Sequence, residues 1–199
     1  IRPGVKDKTV LELATGTGMI AKHLVREAKH IEATDASPEM IAEAQRENRR
    51  TKLYFSVQDM VHLPYADQSF DVVIVSNALH VVSQPEKALL EIRRVLKDDG
   101  VLIAPTFTHG DNTLCGRAKA MCMKLAGFPL CGKWGRADYL DFLEKIGWHV
   151  RKSTVLKASF PLTYAECEKE AESKEPQEHP AKSRSWHTGN PVSTVGKPA

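Results

Sequence analysis

No apolar run in the chain approaches the roughly 18 residues a membrane-crossing helix requires, and the opening Ile1-Arg2-Pro3-Gly4 lacks the pattern of a secretion signal. Lys and Arg are scattered among acids, leaving a formal charge of only +3 over 199 residues. There is no basic stripe of the kind a phosphate backbone demands, so nucleic acid is set aside as a partner. The four cysteines, Cys115, Cys122, Cys131 and Cys167, form no CxxC pair and have no histidine at zinc-like spacing, so no metal site is expected. Reduced, partly buried thiols in a cytoplasmic protein are the expectation, with Cys115 and Cys122 sharing a helix face through their seven-residue spacing. Internal repeats are also missing. What is present is 42% hydrophobic and 27% charged residues, enough for one sizeable core and one domain.

Strand signals alternate with helical ones: "TVLELA" from Thr9, "HIEATD" (30–35), "LYFSVQ" (53–58), "FDVVIVSN" (70–77) and "GVLIAPTF" (100–107). Such alternation predicts a parallel sheet covered on both faces, a doubly wound α/β fold. Between the first two strands, residues 18–29 place Ile20, Leu24 and Ala28 on one helical face. Ser37 is a good N-cap with Pro38 at the first helical position, and Ala88, Leu89, Ile92, Val95 and Leu96 repeat with helical period until "KDDG" ends the helix. The crossover at 59–69 contains Pro64 and no helical repeat, and reads as loop.

After Phe107 a helix is expected over 112–127, then a loop with Trp134, then a helix over 137–146. Residues 148–160 read as two short strands parted by a turn near Ser153, pairing antiparallel at one sheet edge. Seven strands result, the last of them antiparallel. From Glu166 the composition turns to Glu, Lys, Ser and Pro, which sets the expected domain at 1–165 and a disordered polar tail at 166–199.

The first strand empties into a glycine loop that opens a helix, the arrangement with which α/β sheets build nucleotide sites. Gly16-Thr17-Gly18-Met19-Ile20-Ala21 fits the GxGxxA dinucleotide fingerprint with Asp35 as ribose acid, which keeps an NAD(P)-dependent oxidoreductase as one reading. The other reading starts at Glu12, an acid followed by small residues at alternate positions, Ala14, Gly16 and Gly18. A carboxylate at a strand end suits a ribose diol, and an anion at Glu12 can balance an ammonium or sulfonium charge.

With "ATDASPEM", "VQDMVHLPYADQSFDVVIVSNALHVV" and "EIRRVLKDDGVLIA" in order behind that loop, the chain resembles the class I S-adenosylmethionine-dependent methyltransferases over about residues 3–165. The likeness is strongest to the small-molecule, ubiquinone/menaquinone-biosynthesis-like branch called type 11. It implies S-adenosylmethionine as cofactor, a Rossmann-like fold and a small-molecule methyl acceptor. It further implies cofactor contacts from Glu12, Ala14, Thr15, Gly16, Gly18, Asp35 and Ala36, with Asp59 on the adenine amino group, Met60 against the ring and Asn77 beside the methionine part. Where the family has its first loop glycine this chain has Ala14, expected to cost little provided its φ is negative and to narrow the space beside the methionine moiety. At Gly16 a side chain is expected to clash within the turn.

Methyl transfer needs the acceptor held in line with the methyl group, and a base where the accepting atom carries a proton. His80, beyond the fourth strand, is the candidate base. Phe107, His109, Phe128 and Trp134 are candidate acceptor contacts in an expected lid over 106–134. Family members carry helices ahead of the first strand, whereas Thr9 lies eight residues from the start here, so a fragment or an open site is expected. A cofactor-binding module without efficient catalysis is the alternative that this leaves.

Overall fold

The computed structural model describes residues 2–46, 48–108, 134–156 and 161–170. Helix α1 (Arg2–Val5) leads into β1 (Thr9–Leu13), α2 (Met19–Leu24), β2 (His30–Asp35), α3 (Pro38–Gln45), β3 (Leu53–Val57) and β4 (Phe70–Val75). Helix α4 (Pro85–Val95), β5 (Leu96–Ile103), β6 (Thr106–Phe107), α5 (Arg136–Lys145), β7 (Trp148–Leu156) and β8 (Leu162–Lys169) follow. The strands of the described residues form one sheet in the order β3-β2-β1-β4-β5-β8, with β6 and β7 also pairing β8. Pairings among β1 to β5 are parallel, and β8 runs antiparallel to each of its neighbours.

Strands β5 and β6 are one line broken at Pro105. Leu102 opposes Cys167, Ile103 opposes Glu166, Thr106 opposes Thr163 and Phe107 opposes Leu162, an unslipped register across the gap. The Ala104 N–H still donates to the Ala165 carbonyl at 2.9 Å, while Pro105 has no N–H to offer. Among the described residues the eight strands therefore make seven lines, the number expected, with the last antiparallel. The chain steps outward from β1 through β2 to β3 and then returns to the other side of β1 as β4. This reversal leaves a crevice beyond the carboxyl ends of β1 and β4, where open α/β sheets bind ligands.

Both faces of the sheet are buried, which is why the strands read as nearly continuous apolar runs. Val10, Val72 and Ile74 join Ala21, Leu24, Ile41 and Ala44 from α2 and α3 on one face. Leu11, Leu13, Val73 and Val75 meet Leu89, Ile92 and Val95 of α4 and Tyr139 and Leu143 of α5 on the other. The Ser37 hydroxyl accepts the Met40 N–H at 3.2 Å and Pro38 begins α3, as the sequence indicates. Helix α2 stops at Leu24, sooner than residues 18–29 suggest, although Ala28 is still buried.

Two expectations fail at the far edge. Residues 148–156 are one strand with an irregularity between Val150 and Lys152, not two strands turning near Ser153, and the partner strand begins only at Leu162. The sheet also runs past the boundary drawn at residue 165. Glu166 and Cys167 lie in β8 between β5 and β7, with Cys167 fully buried. Alternating burial along β8 puts Thr163, Ala165 and Cys167 inside, a period-two signal that the surrounding charge conceals. The expected helix over 112–127, the thiols Cys115, Cys122 and Cys131, Phe128 and the tail beyond residue 170 lie outside the described residues.

Candidate functional site

Glu12 is on the Val10 face of β1, beneath α2, and is only 2% exposed. Burial pushes its carboxyl up to about 7, with the charge of Asp35 adding to this and the nearby Thr15 hydroxyl and Ala21 N–H opposing it. Although the Thr15 hydroxyl is near Glu12, no hydrogen bond of ordinary geometry closes among the described residues on Glu12 Oε2, on the buried Thr15 Oγ1, or on Asn77 Oδ1 beyond β4. Buried polar atoms without partners cost roughly 1–3 kcal/mol each, so three of them around one crevice mark a place built for a polar ligand.

The loop after β1 is held from three sides. The Gly16 N–H donates to Asp35 Oδ2 at 2.8 Å, the Thr15 N–H to the Thr34 carbonyl at 2.9 Å, and Lys22 Nζ to the Thr17 carbonyl at 3.0 Å. Asp35 Oδ1 accepts the Ser37 N–H at 3.0 Å, so the carboxylate fixes both the glycine turn and the start of α3. An ionised carboxylate offers about four acceptor positions, which leaves Asp35 able to take hydroxyl donors as well. Ala36 beside it is exposed.

Backbone angles explain the glycines and correct two expectations. Gly16 and Gly18 have φ of 56° and 77°. A Cβ on Gly18 would come within 2.6 Å of the Phe55 ring, whereas one on Gly16 would meet nothing within 4 Å. The expected clash at Gly16 is therefore absent among the described residues, and what a side chain there would meet is the strain of a left-handed φ. Ala14 has φ of 53°, so alanine occupies a left-handed position and carries strain of about 1–2 kcal/mol. The expectation that it costs little, which assumed negative φ, does not hold.

The Gln58 N–H bonds the Asp35 carbonyl at 3.0 Å and brings the end of β3 beside that of β2. Asp59 follows, exposed, its Oδ1 accepting the Val61 N–H at 3.0 Å, and Met60 packs half-buried on the core. This loop depends on Arg94 of α4. Its guanidinium donates to the carbonyls of Leu63 and Tyr65 at 2.9 and 2.7 Å and pairs with Glu91 and Asp67. Glu91 in turn accepts the Leu63 N–H. The sequence reading assigned nothing to Arg94, although it stands in the quoted "EIRRVL".

Beyond β4, Asn77 takes φ of 54° and its N–H donates to the Pro105 carbonyl at 2.8 Å. His80 Nδ1 lies 2.9 Å from Thr106 Oγ1, and its ring meets Phe107 edge-on at 6.2 Å. Of the expected acceptor contacts, His80 and Phe107 thus come together. His109 lies outside the described residues. Trp134 stacks on Phe142 and Tyr139 at 4.7 and 5.4 Å, packed against the core. Thr106 escaped the sequence reading because an isolated threonine carries no motif.

Residues 11–104 match a family model described as a methyltransferase domain. A demethylmenaquinone methyltransferase of Thermotoga maritima is 42% identical over 101 residues, 50% of this chain and 43% of that protein. One of Renibacterium salmoninarum is 37% identical over 105 residues, 53% of this chain and 44% of its own length. The matches thus span less than half of these relatives. Among solved structures, a putative methyltransferase from Bacillus halodurans aligns with TM-score 0.73 at 17% identity, covering 84% of this chain and 95% of its own. The [4+2]-cyclase SpnF aligns with TM-score 0.68 at 19% identity, covering 83% and 76%. At such identities the likeness is one of fold, and the cyclase shows that this fold hosts more than one reaction.

Proposed function

We infer that this chain, which carries a class I S-adenosylmethionine-dependent methyltransferase domain, transfers a methyl group to a small-molecule acceptor. The observation that carries the reading is the set of orphaned atoms at the switch point: Glu12 Oε2, Thr15 Oγ1 and Asn77 Oδ1. S-adenosylmethionine fits them together with Asp35, because it brings an ammonium, a sulfonium and a ribose diol to two acids and two polar side chains. A dinucleotide fits less well, since its diphosphate over the glycine turn would add negative charge one turn from buried Glu12.

When bound, S-adenosylmethionine supplies an electrophilic methyl group on a sulfonium centre. Glu12 balances the ligand's positive charge, and Asp35 accepts from the ribose while anchoring Gly16, with Ala36 next to it. Gly16 leaves the cradle clear, and Ala14 and Thr15 border the methionine part with Asn77. Asp59 accepts from the adenine amino group and Met60 lies against the ring. His80 takes the proton of the accepting atom, and Phe107 forms an apolar wall beside it. His109 and Trp134 remain candidate acceptor contacts, with Trp134 acting through the stack it forms on α5.

The names of the relatives make demethylmenaquinone the first acceptor to test. We place the reaction in the cytoplasm, a reading that the unpaired, buried Cys167 supports. Among the described residues, no helix is long and apolar enough to cross a membrane.

Thermal shift decides the ligand class: S-adenosylhomocysteine raises the melting temperature and NAD does not. The opposite result overturns the reading. Methyl transfer from labelled S-adenosylmethionine to demethylmenaquinone, phenols, amines and thiols then separates enzyme from binding module. Binding without turnover on any acceptor would leave only the module.

A further inference from the structure

Parallel pairing of β4 with β5 ends at Ile74 and Ile103, and just beyond it two successive carbonyls each take a donor from a different element. The Tyr139 hydroxyl of α5 donates to the Ala104 carbonyl at 2.7 Å, and the Asn77 N–H donates to the Pro105 carbonyl at 2.8 Å. A carbonyl can only accept, so the direction of both bonds is settled. Tyr139 is fully buried and its ring stacks on Trp134 at 5.4 Å, which fixes the plane from which the hydroxyl extends. Ala104 is held by the sheet as well, its N–H donating to the Ala165 carbonyl at 2.9 Å.

Between the two carbonyls stands a proline. Its ring locks φ at about −65°, so with the Ala104–Pro105 peptide plane fixed, a single rotation separates the first carbonyl from the second. Thr106 lies in register against Thr163 of β8, which restrains that rotation. The Pro105 carbonyl is thus a rigid acceptor, and it meets the Asn77 N–H where the chain takes φ of 54°. A non-glycine residue stays in that region only where its surroundings hold it.

We propose that Tyr139 is a positioning residue for the methionine part of the cofactor: through the Ala104–Pro105 unit its hydroxyl sets the Asn77 turn and so the place of Asn77 Oδ1. This rests on the reading of S-adenosylmethionine as ligand and deepens it. Tyr139 acts only through the backbone that it anchors. A turn built before the ligand arrives need not be ordered on binding, so its full interaction counts toward affinity. Without the hydroxyl the Ala104 carbonyl loses its donor, the Asn77 turn relaxes, and binding must restore it.

Tyr139→Phe keeps the ring and removes only the donor. In amide NMR of the ligand-free chain the Asn77 resonance should move, whereas in Leu143→Val, a change in the buried face of the same helix, it should stay in place. Calorimetry should show Tyr139→Phe binding S-adenosylhomocysteine roughly tenfold more weakly, the scale of one lost hydrogen bond to a buried carbonyl, and Leu143→Val binding as the unmodified chain does. Asn77→Gly removes the side chain at a φ that glycine accepts, and adding Tyr139→Phe to it should cost no further affinity. An unmoved Asn77 resonance, unchanged affinity in Tyr139→Phe, or losses that add in the double variant each overturn the proposal. If Tyr139→Phe does not fold, native-state hydrogen exchange in the unmodified chain takes its place. The Asn77 amide should then open in the same urea-dependent step as the Ala104 amide, and opening far below that step overturns the proposal. Failure of the ligand reading would look different: the unmodified chain would bind no S-adenosylhomocysteine while the Asn77 resonance still moved in Tyr139→Phe, and the cofactor role of Tyr139 would fall with that reading.

Discussion

Two residues beneath the glycine turn work against the stability of the empty fold. Glu12 holds its proton in the folded chain up to about 7, whereas an unfolded glutamic acid releases it near its usual 4.5. A raised carboxyl contributes stability that is complete below the unfolded value and is lost as pH rises through the folded one. The ligand-free domain should therefore be less stable at pH 8 than at pH 5 on this account, and Glu12→Gln should remove much of the difference, by a few kcal/mol at most. A cationic ligand reverses the balance by favouring the carboxylate. Calorimetry in buffers of different ionisation heat should show proton release on binding S-adenosylmethionine at pH 6 with no acceptor present, and Glu12→Gln should abolish that release and weaken affinity. Proton uptake, or equal affinity in the variant, would remove Glu12 from the site. Ala14 is the second such residue. Ala14→Gly relieves the left-handed strain at some cost in chain entropy and should stabilise the domain by roughly 0.5–1 kcal/mol in urea titration. A loss of stability would show that the Ala14 methyl packs usefully.

Helix α4 does more than cover the sheet. Its inner face buries Ala88, Leu89, Ile92 and Val95, as its sequence period indicates, while Arg94 and Glu91 reach sideways to hold the 58–69 loop. That loop has no helix of its own and carries Asp59 and Met60, so its position is borrowed from α4. Arg94→Met leaves the Leu63 and Tyr65 carbonyls without their donor and Glu91 without its cation. The expected losses are about 1–3 kcal/mol in stability and a measurable drop in S-adenosylhomocysteine affinity. Unchanged affinity would mean that the loop keeps its place through Pro64 and the buried Leu63 alone. The helices were legible because burial on one side imposes a 3.6-residue period. The hold of Arg94 on that loop was not, because its partners there lie 27 to 31 residues away in sequence and no local pattern records them.

At the scale of the molecule, β8 is the keystone of the carboxyl-terminal half, since β5, β6 and β7 all pair with it. A chain ended after residue 165 loses the pairings of Glu166 and buried Cys167, and should show no cooperative melting. A chain ended after residue 170 keeps every described pairing and should melt cooperatively. Equal behaviour of the two would show that the sheet closes without that edge. The sequence by itself determined the parallel α/β layering, the glycine turn that follows Glu12 and the places of Asp35 and Asp59 at the ends of β2 and β3, because two-sided burial and tight turns are local demands written into neighbouring residues. Only the tertiary structure decided the sign of φ at Ala14, the reach of β8 beyond residue 165 and the meeting of His80 with Thr106. Each of these depends on contacts between segments far apart in the chain, where composition and period are silent.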